Sequence, residues 1–558
     1  MEEEDESLEK LLKWAAEMGI TDSTIQNPSR SRNCLGHSLT VSHFPEAGGR
    51  GLAAARDLTK GELILRVPKT ALFTTECLLK SDQKLSLAVN RHLFLSPSQI
   101  LIVCLLYEVG KGKSSRWHAY LMLLPRCYEI LATFGPFEKQ ALQVDDAIWA
   151  AEKAVSKAES KWKQAIKLME ELKLKPQLLS FKAWLWASAT VSSRTMHISW
   201  DEAGCLCPVG DLFNYAAPGE GEESNIGIED VEGWMPAPCL PKGDTTDVLD
   251  SEKFNAHLHR LTDGTFEEDV NSYCFYARNN YKRGEQKKKF GIKSLAFDPI
   301  SSVDADRIDM FTFDQLPVMH NDVLLLFEEL HLFSAVVIFK KVLLSYGTYT
   351  NLELLEHYGF LLNENPNDKV FISLEPGMYS GCSWPRESQY VDQDGKPSFA
   401  LLSALRLWMT PANQRRSVGH LAYSGHQLSV DNEISVMKWL SNNCCVMLNS
   451  LPTSKEEDAL LLCAIDKIQD INTATELKKV LSDFGGEVST FLENYYVQCW
   501  QRGAELSLSR KTKLSMQRWK LAIQWRLRYK KTLADCISYC DYTVNCLPND
   551  NVPTGGIK

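Results

Sequence analysis

The chain has 558 residues, of which 44% are hydrophobic, 24% charged and 10% aromatic, and its formal net charge is −10. This length suggests two to four domains with real cores, and the composition excludes a disordered, collagen-like, coiled-coil or low-complexity chain. The acidic balance argues against a protein whose main work is coating nucleic acid.

Residues 7–18 place apolar groups at helical spacing, and Gly19 stops them. Residues 38–41 and 62–67 read as strands around a Gly-rich turn at 48–51, and Pro68 ends the second strand. From about 98 to 195 the pattern is helical and includes a long charged amphipathic helix over 148–172. Residues 196–285 mix short strand-like runs with turns. Past about 365 helical periods dominate, at 398–409, 426–450, 455–471, 474–500 and 508–537, so a domain break is predicted near 365–375.

The most apolar run, 323–337, is interrupted by Glu328, Glu329 and His331. No charge-free stretch approaches the ~18–20 residues of a membrane span, so none is predicted. The chain starts MEEEDE, acidic where a signal or transit peptide would be basic or acid-poor, which points to the cytoplasm or nucleus. There the 16 cysteines would be reduced thiols. Cys205 and Cys207, Cys444 and Cys445, and Cys536, Cys540 and Cys546 do not form paired halves at zinc spacing, so no metal is expected.

Three stretches could carry chemistry. Gly48, Gly49, Arg50 and Gly51 could bring backbone N–H groups close to an anion or an adenosine edge, or simply turn a hairpin. Their spacing fits neither a Rossmann nor a P-loop site. The run PVGDLFNY (208–215) encloses Asp211 and Asn214 among apolar residues, so each needs a defined partner; an Asx-capped turn is the plainer reading. Tyr346 and Tyr358, each followed by glycine, end apolar segments; in isolation core tyrosines satisfied by backbone carbonyls are the plainer reading.

Taken in order, these stretches resemble a SET-domain methyltransferase of the branch typified by the plant Rubisco large-subunit lysine methyltransferase. The resemblance rests on the Gly-rich turn, WHAYLMLLP (117–125), VSSR (191–194), DLFNY (211–215), Gly284-Glu285 and EHYGF (356–360), and covers about residues 35–365. It implies an α+β fold: a SET β-fold core with a helical insert, followed by an all-α C-terminal substrate-binding domain. The implied division is an N-terminal helix at 1–34, the SET domain at 35–365 with its insert at about 76–200, and the helical domain at 370–545.

The resemblance also implies an enzyme that moves a methyl group from S-adenosylmethionine to a lysine of a protein substrate, working as a monomer without nucleic acid, membrane or metal. The cofactor would lie against Gly48, Gly49, Arg50, Arg194, Asn214 and Tyr215. Arg194, Asp211 and Tyr358 would shape the substrate side, and Tyr346 and Tyr358 would be the catalytic tyrosines. The chemistry suits these residue types. In-line attack on a sulfonium methyl needs a neutral, oriented amine in a dry channel, and a free lysine has a pKa of about 10.4.

Two departures stand out. The family's histidine position is held by Tyr215. Residues 287–341 also separate Gly284-Glu285-Gln286 from the Tyr346 strand; without them KRGEQ runs directly into VLLSYG. That segment reads as translated intron, or else as a lid or partner-binding insert. These features leave two alternatives open: a catalytically impaired SET-fold protein that binds a partner, and a histidine methyltransferase. Lastly, residues 510–531 carry nine Lys/Arg residues, three aromatics and no acid. They predict an amphipathic helix that packs Leu514, Trp519, Ile523 and Leu527 inward and leaves a basic solvated face.

Overall fold

The computed structural model describes residues 2–23, 33–44, 49–215, 264–277, 280–281, 343–344, 348–379, 384–470, 486–496 and 510–547. Helix α1 (Glu2–Glu17) ends at Gly19, whose φ is +82°. Just beyond it Asp22 is buried, and its Oδ2 accepts the backbone N–H groups of Gly36, His37, Ser38 and Leu39 at 3.0, 2.9, 2.8 and 2.9 Å. This carboxylate sets the start of β1 (Leu39–Phe44), which forms an antiparallel hairpin with β2 (Gly49–Ala54). The Gly-rich turn therefore falls differently from the expectation. Gly49, Arg50 and Gly51 lie on strand β2, while Gly48 lies outside the described residues. The register demands this, because Phe44 pairs with Gly49 and Ser42 with Gly51.

Strand β3 (Leu63–Pro68) ends at the proline and opens into the helical insert. The insert holds α2 (Thr75–Ser81), α3 (Gln83–Val89), α4 (Pro97–Lys111), α5 (His118–Leu123), α6 (Pro136–Gln140), α7 (Asp145–Glu171) and α8 (Phe181–Arg194). Side-chain caps define its helix starts: Thr74 for α2, Asp82 for α3, a Ser96/Gln99 capping box for α4 and Ser180 for α8. The long α7 has no side-chain cap but carries Asp145 and Asp146 in its first turn, where the helix dipole favours them.

The chain then returns to short strands, β4 (Thr195–Ile198), β5 (Asp201–Leu206), β6 (Asn214–Tyr215), β7 (Gly264–Glu267), β8 (Ser272–Tyr276) and β9 (Leu343–Leu344). Strands β4 and β5 form a hairpin, and β3, β8 and β7 form an antiparallel sheet in that order. The two residues of β6 run parallel to β9. Single bridges at Thr21–Arg66, Leu58–Tyr281 and Phe73–Leu206 lace these small sheets together. Phe73, Leu65, Trp184, Tyr273 and Phe275 are fully buried in the core between sheet and insert. The added segment 287–341 lies outside the described residues.

Helix α9 (Asn351–His357) has a Thr350/Glu353 capping box. The C-terminal region opens on β10 (Lys369–Phe371), α10 (Pro376–Tyr379) and β11 (Tyr390–Asp392), with β10 antiparallel to β11. Helical periodicity does not register this small sheet, because each strand is only three residues long. Helices follow: α11 (Phe399–Met409), α12 (Arg415–Tyr423), α13 (Val430–Asn449), α14 (Lys455–Asp470), α15 (Glu487–Tyr496) and α16 (Arg510–Cys546). The period read over 426–450 is a helix only from Val430, where the Ser429 side chain caps it. Of 474–500, residues 474–485 and 497–500 lie outside the described part.

Helix α16 corrects the sequence reading of a basic solvated face. Trp519 and Ile523 are buried as expected, while Leu514 and Leu527 are only half-buried. Arg526 and Lys530, however, are 0% and 1% exposed. Arg526 Nη2 lies 2.7 Å from Asp458 Oδ1 and 2.9 Å from Glu487 Oε2, and Lys530 Nζ lies 2.6 Å from Asp458 Oδ2. The same two cations reach into the helical insert. Arg526 donates to the Ala141 carbonyl at 2.7 Å and Lys530 to Gln143 Oε1 at 3.1 Å. Acids contributed by α14 and α15 neutralise charges that the local sequence left unpaired.

Candidate active site

Helix α8 ends at Arg194, and the turn after β5 carries Asp211 into the same space. Arg194 Nη1 donates to the Asp211 carbonyl at 3.0 Å and to its Oδ2 at 3.1 Å, and Arg194 Nε donates to the Tyr128 hydroxyl at 3.3 Å. Tyr120 donates its hydroxyl to Asp211 Oδ2 at 2.8 Å. The Asp211 side chain is only 3% exposed, so its carboxylate acts on the site through Arg194 and Tyr120. Burial pushes the Asp211 carboxyl upward, against the pull of Arg194 and the Tyr120 hydroxyl. Burial also opposes the Arg194 charge, but the Tyr128 and Asp211 oxygens outweigh it and hold the guanidinium protonated.

Three residues beyond Asp211, Asn214 begins β6, which runs parallel to β9 with Asn214 opposite Leu343 and Tyr215 opposite Leu344. The Asn214 side chain stands against strand β2. A Cβ on Gly51 would lie 2.3 Å from Asn214 Nδ2 and 3.0 Å from the Phe44 ring, so only glycine leaves room there. The Gly-rich strand and the Asn-Tyr pair, far apart in sequence, thus meet at one point. Asn214 Nδ2 is buried without a hydrogen-bond partner, and so is Nη1 of Arg50 beside Gly51. Buried N–H donors without partners are costly, and both would suit an anionic acceptor.

Next to Asn214 an aromatic group gathers. Tyr215 is 8% and Tyr349 4% exposed, and Tyr358 and Phe360 are partly buried beside them. Ring centroids lie 6.4 Å apart for Tyr215–Tyr349, 5.9 Å for Tyr215–Phe360, 5.4 Å for Tyr349–Tyr358 and 6.1 Å for Tyr358–Phe360. Helix α9 links two of them, since Tyr349 precedes its Thr350 cap and Tyr358 closes its C-terminus. After Tyr358 the chain turns at Gly359, whose φ is +78° and whose Cβ would meet the Glu129 and Ile130 backbone at 3.0–3.2 Å. The tyrosine group is thereby laid on the segment whose Tyr128 holds Arg194. The structure brings together Arg194, Asp211, Asn214, Tyr215 and Tyr358, and it seats Asn214 on strand β2 beside Arg50. Gly48 and Tyr346 lie outside the described residues, and only the backbone of Gly49 is described. Tyr349 was not singled out in the sequence; its signal was a third tyrosine next to a capping box.

A family model described as Rubisco LSMT substrate-binding matches residues 385–533. Protein SET DOMAIN GROUP 40 of Arabidopsis thaliana is 50% identical over 555 residues, covering 98% of each chain. The chain belongs to the SET-domain protein lysine methyltransferase family. Within that family, the chloroplastic Rubisco large-subunit N-methyltransferase of Pisum sativum is 23% identical over 174 residues, 30% of this chain and 34% of its own length. A solved structure of Rubisco LSMT bound to sinefungin and monomethyllysine shares the fold of this SET-domain chain. Its TM-score is 0.50 at 15% identity, over 97% of this chain and 93% of the other. The α+β architecture, with its SET β-fold core, helical insert and helical C-terminal domain, is the one the motifs implied.

Proposed function

We propose that this chain transfers a methyl group from S-adenosylmethionine to the side-chain amine of a lysine in a protein substrate. The observation that carries this reading is the buried amide nitrogen of Asn214, which has no hydrogen-bond partner, seated on Gly51 and flanked by the tyrosine group. S-adenosylmethionine supplies an electrophilic methyl carbon on a sulfonium. Its carboxylate fits the unpaired N–H donors of Asn214 and Arg50, with the Gly48–Gly49 backbone, Tyr215 and Arg194 completing the cofactor side. Tyr358 and Tyr346 line the lysine channel as catalytic tyrosines. Arg194 and Asp211 shape its wall, and the Tyr120 and Tyr128 hydroxyls hold Arg194 and Asp211 in place. The ring faces favour positive charge, and their burial excludes water from the amine, whose neutral form must attack.

The protein is divided here into an N-terminal helix at 1–34, a SET domain at 35–365 and a helical domain at 370–545 that presents a surface to the substrate protein. It works as a monomer in the cytoplasm or nucleus, the compartments that the acidic start MEEEDE points to. Among the described residues no helix is long and apolar enough to cross a membrane.

The test is calorimetric binding of S-adenosylmethionine to the full chain, to the Asn214→Ala variant and to a chain lacking 287–341. It is followed by transfer of labelled methyl to peptides with lysine or histidine as sole acceptor. Binding lost in Asn214→Ala and label on lysine support the reading. Label only on histidine changes the acceptor. No binding by either intact or shortened chain would favour a partner-binding protein without turnover, the reading that Tyr215 at the histidine position keeps in play.

A further inference from the structure

Tyr349 lies outside every motif, yet its hydroxyl accepts the Tyr358 hydroxyl proton, at 3.3 Å. The residue is held from several sides. Its carbonyl accepts Asn365 Nδ2 at 2.8 Å, and the next residue, Thr350, caps α9 through the Glu353 box. Its ring is wedged edge-on between Tyr215, at 6.4 Å and 62°, and Tyr358, at 5.4 Å and 67°. Burial raises the Tyr349 hydroxyl above its ordinary value, so it keeps its own proton.

We propose that Tyr349 is a positioning residue that fixes the sense of the hydrogen bond at Tyr358, so that the Tyr358 oxygen meets the substrate amine as an acceptor. The proposal rests on the methyltransferase reading above. A phenol has one proton to give. Once Tyr358 gives it to Tyr349, the Tyr358 oxygen has lone pairs left for an amine N–H. The opposite sense would aim the Tyr358 proton at the amine's lone pair, the pair that must attack carbon. As the new N–C bond forms, the S–C bond breaks with its electrons going to sulfur. The nitrogen becomes positive, its N–H groups become stronger donors, and its extra proton then leaves to solvent. An acceptor at Tyr358 thus gains strength on the way to the transition state. Tyr215 supplies the wall behind Tyr349, so Tyr358 is backed through two further phenol rings.

The test uses the full chain, methyl-labelled S-adenosylmethionine and a degenerate pool of peptides each containing one lysine. Tyr349→Phe keeps the ring and removes the acceptor. Its cofactor affinity, melting temperature and apparent KM should match the unaltered chain, while kcat falls about tenfold or more, the worth of the hydrogen bond that Tyr358 then fails to accept from the nitrogen as it becomes positive. The double variant Tyr349→Phe/Tyr358→Phe should be no slower than Tyr358→Phe alone, because Tyr349 acts only through Tyr358. In protein labelled at tyrosine Cζ, Tyr349→Phe should move the Tyr358 carbon signal. An unmoved signal, an unchanged kcat, or a loss that appears only in KM would each overturn the proposal while leaving the enzyme reading intact. An unaltered chain that methylates nothing in the pool would overturn both.

Discussion

Asn214 and Gly51 show how little space decides this site. With a Cβ at position 51 only 2.3 Å from Asn214 Nδ2, Gly51→Ala must push the amide away from its place. We expect this variant to weaken S-adenosylmethionine binding at least about tenfold, equal to about 1.4 kcal/mol, with a nearly unchanged melting temperature; calorimetry and a thermal melt together check it. Asp22 makes a contrasting point, because its role is stability alone. Its Oδ2 gathers four backbone N–H groups, and Asp22→Ala would leave them without that acceptor. A loss of at least about 2 kcal/mol is expected in urea unfolding, with cofactor affinity per folded molecule retained. Both roles depend on partners distant in the chain. The sequence offered Asp211, Asn214 and Tyr358 because each sits in a short motif, while the capping box beside Tyr349 marks a helix start and not the contact its hydroxyl makes.

At the scale of elements, caps and short helices set the directions of the site. Helix α9 is only seven residues long, yet its two ends carry Tyr349 and Tyr358. Helix α3 offers a pH-dependent test of such capping. Asp82 accepts from Leu85 N at 3.0 Å as its N-cap and from the Tyr107 hydroxyl at 3.0 Å, and it pairs with Lys111 at 3.1 Å. Burial pushes its carboxyl up, but the Leu85 N–H, Lys111 and Tyr107 together carry it below the ordinary value. A lowered folded pKa gives stability that is present above the unfolded value of about 3.9 and is lost as pH falls through the folded pKa. Asp82→Asn keeps a good cap and removes the charge, so its stability should fall less steeply than that of the unaltered chain below about pH 4. Equal acid slopes in the two proteins would refute this account of the cap. Helix positions were largely legible at this scale, since periodicity and caps are local signals. Strands of two or three residues, such as β6, β9, β10 and β11, leave no period to read.

For the whole molecule, the joint between the helical insert and the C-terminal helices is a buried charge cluster. Asp458 is 0% exposed and faces both Arg526 and Lys530. Gln143, in the left-handed region at φ +63°, turns its side chain to Lys530 and Thr453. Breaking such a pair from one side strands the other charge. Asp458→Ala is therefore expected to cost about 3–5 kcal/mol in chemical denaturation. If the cluster fixes how the two halves meet, the loss should appear in one shared transition; a separate early transition of the C-terminal helices alone would argue that each half folds independently.

The family and the α+β architecture were legible in the sequence, which also named Arg194, Asp211, Asn214 and Tyr358 as candidates for the site. Those depend on motifs a few residues long and on periods that a single helix obeys. Tertiary structure alone decided that Gly51 meets Asn214, that Tyr349 receives the Tyr358 hydroxyl, and that Arg526 and Lys530 turn inward to Asp458. Most of these are contacts between segments distant along the chain, and the Tyr349–Tyr358 pair depends on how the ends of α9 are packed. A basic residue reads as a solvated charge until packing places an acid against it, and a glycine reads as a turn until a side chain from elsewhere fills the space its missing Cβ leaves.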